Sequence, residues 1–268
     1  MLPAARLVLG PVLLRQAGAV RRTALRLPEA SGPRDGVVGE GEPRLRLLVV
    51  GDSSAAGVGL RHQSQALALP LATLLAERAG TAVSWQLLAR TGLDTPGAVE
   101  LLAQARVAPA DVVVTALGVN DVTSQLSAGA FVTHTAQLWS ELKRSTGATW
   151  GVACGLPPMG RLTAIPQPLR WYLGRYAAVL DASLREWARR HALGHCSLGW
   201  TDDPAFLAPD GFHPGPALYP QWAARLADAI VSGQRHWGCP QAVRAEPVEA
   251  PSRETTKIAD ALKTKGRQ

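Results

Sequence analysis

The sequence predicts a three-layer α/β/α domain on a mainly parallel, flavodoxin-like sheet of about five strands. Three observations predict it. Apolar runs of strand length alternate along the chain with stretches whose apolar residues recur at helical spacing. The first of these runs, Leu47 to Val50, is unbroken, as a buried strand is, and the alternation implies a parallel sheet covered on both faces. Polar, glycine-containing turns follow the apolar runs directly, so they gather at one sheet edge.

The first strand is Leu47-Leu48-Val49-Val50, ending in Gly51-Asp52-Ser53 and a run of small residues with Gly57, which reads as a buried strand turning sharply into a helix. Leu67 to Arg78 follows at helical spacing, and Val83 to Leu88 is the second strand, ending at Ala89-Arg90-Thr91-Gly92. Pro96 suits the first turn of a helix that continues through Val99 to Arg106. Asp111 to Leu117 is the third strand, the most β-branched run of the chain, and Gly118-Val119-Asn120-Asp121 comes straight after it. Ala128 to Arg144 is helical, with Phe131, Leu138 and Leu142 facing the core, and Trp150 to Leu156 is a fourth strand that Pro157-Pro158 ends. Met159 to Pro168 is loop, Leu169 to Ala192 a long helix, His195 to Leu198 a short fifth strand, and Pro216 to Ser232 a last amphipathic helix.

Length and composition, 268 residues with 47% hydrophobic content, suit one domain with two extensions. The expected division is an N-terminal apolar and arginine-containing extension and loop (1–43), a catalytic domain (44–237) and a charged tail (238–268) expected to be disordered. The formal charge of +7 comes from scattered arginines rather than a dense basic block with interleaved aromatics, so nucleic-acid binding is not expected. Cys154, Cys196 and Cys239 are odd in number and lack C-x-x-C spacing; buried free thiols are expected, with no metal and no cofactor.

In residues 1–36, the apolar run Leu7 to Leu14 is interrupted by Gly10-Pro11 and followed by Arg15, Arg21, Arg22 and Arg26. It is too short to span a bilayer, and only Arg6 precedes it while the other arginines follow, whereas a cleaved signal peptide carries its charge ahead of the apolar run. The expectation is therefore a cytoplasmic protein, with this segment either on an anionic membrane surface or packed as an accessory helix. Gly32 to Gly36 and Gly39 to Pro43 read as loop before the first strand.

Acyl transfer needs a hydroxyl nucleophile, a histidine base, a carboxylate that orients the base, and donors for the tetrahedral oxyanion. Ser53 is a nucleophile displayed at a strand end. Among six histidines, His213 stands in a Gly/Pro-bounded loop with Asp210 three residues before it. Each turn also has a bland reading as a cap or plain turn, but their ordered recurrence at one edge favours the chemical one.

The four blocks Gly51-Asp52-Ser53 with Gly57, Gly92, Gly118-Val119-Asn120-Asp121, and Asp210-Gly211-Phe212-His213-Pro214 occur in the order found in the SGNH hydrolases, also called GDSL esterases and lipases. The chain resembles that family over about Leu45 to Ser232. The resemblance implies that Ser53 attacks an acyl carbonyl, His213 is general base and then general acid, and Asp210 holds the imidazole. It implies an oxyanion hole of the Ser53 N–H, the Gly92 N–H and the Asn120 side-chain amide. It implies hydrolysis of a small-molecule carboxylic ester without choosing the acyl chain; the apolar loop near the site and the apolar N-terminal segment favour a lipid-like ester such as a lysophospholipid or a short-chain acyl ester, with carbohydrate O-acetyl esters and acyl thioesters as alternatives on the same site. Leu156-Pro157-Pro158-Met159 and the pair Trp171-Tyr172 are candidates to line the pocket, although the aromatics of the Leu169 to Ala192 helix read first as core. The rival of another class is a flavodoxin-like phosphate- or nucleotide-binding protein, but the chain has no Walker A and no G-x-G-x-x-G, and that reading leaves His213 and Asp210 unexplained.

Overall fold

The computed structural model describes residues 2–233. A six-stranded sheet forms the middle layer: β1 (Asp35–Val38), β2 (Leu45–Gly51), β3 (Val83–Ala89), β4 (Val112–Ala116), β5 (Trp150–Cys154) and β6 (Gly194–Cys196). The strand order is β1-β3-β2-β4-β5-β6, and every pairing is parallel except β1 with β3. The helices are α1 (Leu2–Thr23), α2 (Ser53–Ala56), α3 (Ala68–Ala79), α4 (Thr95–Gln104), α5 (Val119–Thr123), α6 (Ala128–Thr146), α7 (Leu169–Arg190) and α8 (Leu218–Ser232).

Alternation along β2 makes the two cores. Leu47 and Val49 point to the face covered by α3 and α8, where Leu71, Leu75, Trp222 and Leu226 meet them. Leu48 and Val50 point to the opposite face, packed by Phe131 and Leu138 of α6 and Leu180 and Leu184 of α7. Both faces being covered is why β2, β4 and β5 are almost unbroken apolar runs. Because β2 lies between β3 and β4, connections leave it in both directions, and the crevice opens at its carboxyl end, beside Ser53.

One detail corrects the reading from sequence, and a second goes against local propensity while agreeing with the accessory-helix reading. The stretch read as loop before the first strand contains β1, a sixth strand that pairs antiparallel with β3 at the sheet edge. It is short, contains a glycine and is mostly exposed, so it carries neither an apolar run nor an alternating pattern. Second, α1 is one helix through Gly10 and Pro11. A helical proline leaves the carbonyl four residues earlier without its bond; here Pro11 and Leu7 are both exposed, where water can meet that carbonyl. α1 lies along α7: Gln16 Nε2 donates to Gln167 O at 2.6 Å, and Leu169 N donates to Gln16 Oε1 at 3.0 Å. The expected tail, 238–268, lies outside the described residues.

Candidate active site

Ser53 is the first residue of α2, and its backbone N–H is one of those a helix leaves without an intrahelical partner. Asp52 precedes it in extended conformation, 2% exposed, and its Oδ1 accepts from Ser54 N at 2.9 Å and Ser54 Oγ at 2.7 Å. Gly57 closes the short helix with φ of 73°, in the left-handed region, and a Cβ there would stand 2.8 Å from Ala66 Cβ. The motif is therefore a cap, as the bland reading holds, and it also presents the Ser53 hydroxyl at the sheet edge.

That hydroxyl lies 3.1 Å from His213 Nε2, and His213 Nδ1 lies 2.6 Å from Asp210 Oδ2. The other oxygen, Asp210 Oδ1, accepts from the backbone N–H groups of Phe212 and His213 at 3.0 Å each. The loop is fixed independently: Ala208 N donates to His213 O, Gly215 N to Phe206 O, and Ala164 N to Gly211 O. Burial pushes the Asp210 carboxyl up, but hydrogen bonds from the His213 side chain and backbone and from Phe212 outweigh it and hold the group below its usual value. Asp210 is thus an anion against one imidazole nitrogen, and the other nitrogen faces the serine. Such an arrangement can take a proton from a hydroxyl and later return one to a leaving group. Asp203, another carboxylate of the chain leading to this loop, accepts from Ala205 N at 2.8 Å.

Asn120 is the second residue of α5, behind Gly118, whose φ is 121° and whose added Cβ would meet Leu156 at 3.0 Å. Asn120 Nδ2 donates to Leu93 O at 3.0 Å and, over a longer 3.3 Å, to Asp52 Oδ2. One amide thus ties the Asp52-Ser53 turn to the Gly92 turn. Gly92 itself has φ of 81°, within a tight turn in which Leu93 N donates to Arg90 O at 3.2 Å. The sequence reading missed what steadies this turn. Asp121 is fully buried, and both its oxygens accept from Thr95 N, at 3.1 and 3.2 Å, clasping the start of α4. Burial drives its carboxyl up to about 6. On the outer side, Glu29 Oε1 accepts from Thr91 N at 2.7 Å and Thr91 Oγ1 at 2.6 Å, while its other oxygen pairs with Arg34. Asp121 stood in a recognised block, but nothing near Glu29 signalled a contact 62 residues away.

A largely apolar pocket opens beside the serine. Leu117, Val119, Pro157, Pro158, Leu162, Leu198, Leu207, Phe212, Leu218 and Trp222 line it, together with Ser53 and His213. Of the expected lining, Pro157 and Pro158 are there, while Leu156 and Met159 are core residues. Trp171 and Tyr172 are not part of it: Trp171 faces outward from α7, and Tyr172 is buried with its hydroxyl donating to Gln125 Oε1. Further wall comes from Leu198 and Leu207 and from the start of α8 at Leu218. Cys154 and Cys196 are buried free thiols on adjacent strands, raised by burial; Cys239 lies outside the described residues. Among the described residues no group of three or more His, Cys, Asp or Glu side chains could hold a metal.

The model of the GDSL-like Lipase/Acylhydrolase family matches residues 49–238, well over half the chain. The chain belongs to that family. It is an ester-hydrolysing enzyme of the SGNH type. Solved structures of similar fold include TesA (22% identity, TM-score 0.53, covering 70% of this chain and 99% of that one). Others are the psychrotrophic esterase EstA from Pseudoalteromonas sp. inhibited by monoethylphosphonate (18%, 0.54, 71% and 98%) and an extracellular lipase from Streptomyces rimosus (16%, 0.51, 69% and 99%). A carbohydrate esterase of family 2 from Corynascus thermopiles has a TM-score of 0.57 at 14% identity, covering 74% of this chain and 69% of that one. No curated protein matches in a sequence search.

Proposed function

We propose that this hydrolase cleaves carboxylic esters through a covalent acyl-serine on Ser53. The observation that carries the proposal is the unbroken line from Ser53 Oγ to His213 Nε2, and from His213 Nδ1 to Asp210 Oδ2, at the mouth of an apolar pocket. His213 takes the hydroxyl proton as Ser53 attacks the acyl carbonyl, then gives it to the departing alkoxide. Water, activated by the same histidine, releases the acid and restores the serine. The Ser53 N–H, the Gly92 N–H and the Asn120 amide receive the oxyanion. The long Asn120 bond to Asp52 Oδ2 is the one for which an oxyanion competes. The inhibited state of EstA named with its structure, a monoethylphosphonate complex, accords with serine chemistry on this fold.

Asn120→Ala should lower kcat by roughly 10² to 10³ with KM changed far less, because the amide acts mostly once charge has developed on the carbonyl oxygen. Steady-state kinetics on a soluble nitrophenyl ester measure this. An unchanged kcat with a lowered melting temperature would reduce Asn120 to a structural clasp between the two turns.

The pocket lining favours lipid-like or short-chain acyl esters over O-acetylated sugars, since the walls beside Ser53 are leucine, proline and tryptophan. In a nitrophenyl series of increasing acyl length, kcat/KM should rise above the acetate value while added methylenes still enter the pocket, by up to about tenfold per carbon or two. A series that falls steadily from acetate onward would favour the carbohydrate O-acetylesterase reading.

A further inference from the structure

We propose that α1 and the segment after it form a docking surface for anionic membranes, seated beside the mouth of the ester-binding pocket. The helix has two unlike faces. Leu9, Leu13, Ala17 and Val20, at helical spacing, pack on the core. Outward stand Leu7, 84% exposed, Leu14, 76% exposed, and Val8 and Val12 between them. Isolated apolar residues on a surface need no explanation, but this cluster on one helix face does.

Charge selects the occupant. Residues 1–28 contain five arginines, Arg6, Arg15, Arg21, Arg22 and Arg26, and no acid, in a chain whose whole formal charge is +7. None of the five takes part in an ion pair among the described residues. An apolar patch continued by unpaired arginines fits acyl chains beneath negatively charged headgroups. A second copy fits poorly, because it would bring the same five charges against these. No helix among the described residues is long and apolar enough to cross a membrane, so the surface lies on the bilayer rather than through it.

The position of the patch gives it meaning. Gln16 binds the backbone at Gln167 and Leu169, just before and at the start of α7, on the same edge as the active site. Beyond α1, Leu27 packs on Gly59, which also abuts Ala208, and Ala208 N holds the carbonyl of His213. Leu25 and Arg26, both exposed, come directly before the residue that reaches this neighbourhood of the His213 loop. A protein docked this way holds the pocket mouth beside the lipid surface. The docking itself stands apart from the acyl-serine reading.

The test is co-sedimentation of the full chain with vesicles of phosphatidylcholine alone and of phosphatidylcholine mixed with phosphatidylglycerol. The wild-type chain should partition to the mixed vesicles about tenfold or more over the neutral ones, less so at high salt. Leu7→Glu with Leu14→Glu should lower that partition about tenfold, and Arg21→Gln with Arg22→Gln should erase most of the preference for anionic lipid. Both variants should melt as wild type and hydrolyse a soluble nitrophenyl ester at the wild-type rate. Absence of partition by the wild-type chain, or a double-glutamate variant that partitions as wild type, would overturn the proposal. So would a dimer that the glutamates dissolve without any vesicle binding, which would assign the patch to a second copy.

Discussion

Replacing His213 with alanine should remove nearly all turnover, roughly 10⁴- to 10⁶-fold in kcat. On the proposed acyl-serine route, a chain without the imidazole leaves Ser53 with no base to accept its proton during attack and no acid to protonate the leaving alkoxide, so both halves of the reaction fail together. The fold should survive. His213 sits in a loop held by backbone bonds, Ala208 N to His213 O and Gly215 N to Phe206 O, that the substitution leaves in place. A thermal melt and kinetics on a nitrophenyl ester give the two halves of this result. A variant that retains more than a few per cent of wild-type kcat would mean that another group is the base.

Asp210→Asn should cost up to about 10⁴ in kcat. Asn can still present an oxygen to the backbone N–H groups of Phe212 and His213, so the loop need not move. If it does, its amide N–H₂ then faces His213 Nδ1 where a carboxylate stood 2.6 Å away. That favours the tautomer with the proton on Nε2, which cannot accept from Ser53, and it removes the charge that stabilises the imidazolium. The loss should appear in kcat with the melting temperature changed far less. A wild-type rate would mean that the imidazole needs no anion; Asp203 could not readily take over, being committed to the Ala205 N–H.

The parts of the fold legible in sequence were those whose burial is nearly complete. β2, β4 and β5 are covered on both faces and read as uninterrupted apolar runs; the long helices α6 and α7 show their core stripe at helical spacing. β1 was illegible because an exposed edge strand of four residues pairs through its backbone, and backbone pairing leaves no mark on side-chain pattern. The residues that meet at Ser53 were legible for a different reason. Each stands in a turn directly after a strand or in a Gly/Pro-bounded loop, and parallel topology brings strand ends together whatever their separation in sequence. What steadies those turns was harder to see. Glu29 reaches Thr91 from a segment that looked like a mere leader, and Asn120 bridges Leu93 and Asp52, pairings set by packing rather than local pattern. Trp171 showed the opposite error: its aromatic ring suggested a pocket wall, yet helix phase turns it outward while Tyr172 turns in.

The central claim, an acyl-serine on Ser53, is tested most directly by incubating the protein with a fluorinated alkyl phosphonate and locating the adduct by peptide mass spectrometry. The phosphoryl group should be found on Ser53 at stoichiometric yield in the wild-type chain, with labelling slowed at least about 10³-fold in His213→Ala, because the same base that activates the serine toward an ester activates it toward phosphorus. An unlabelled Ser53 in a protein that still hydrolyses esters, or an adduct on Ser54 in its place, would contradict the account.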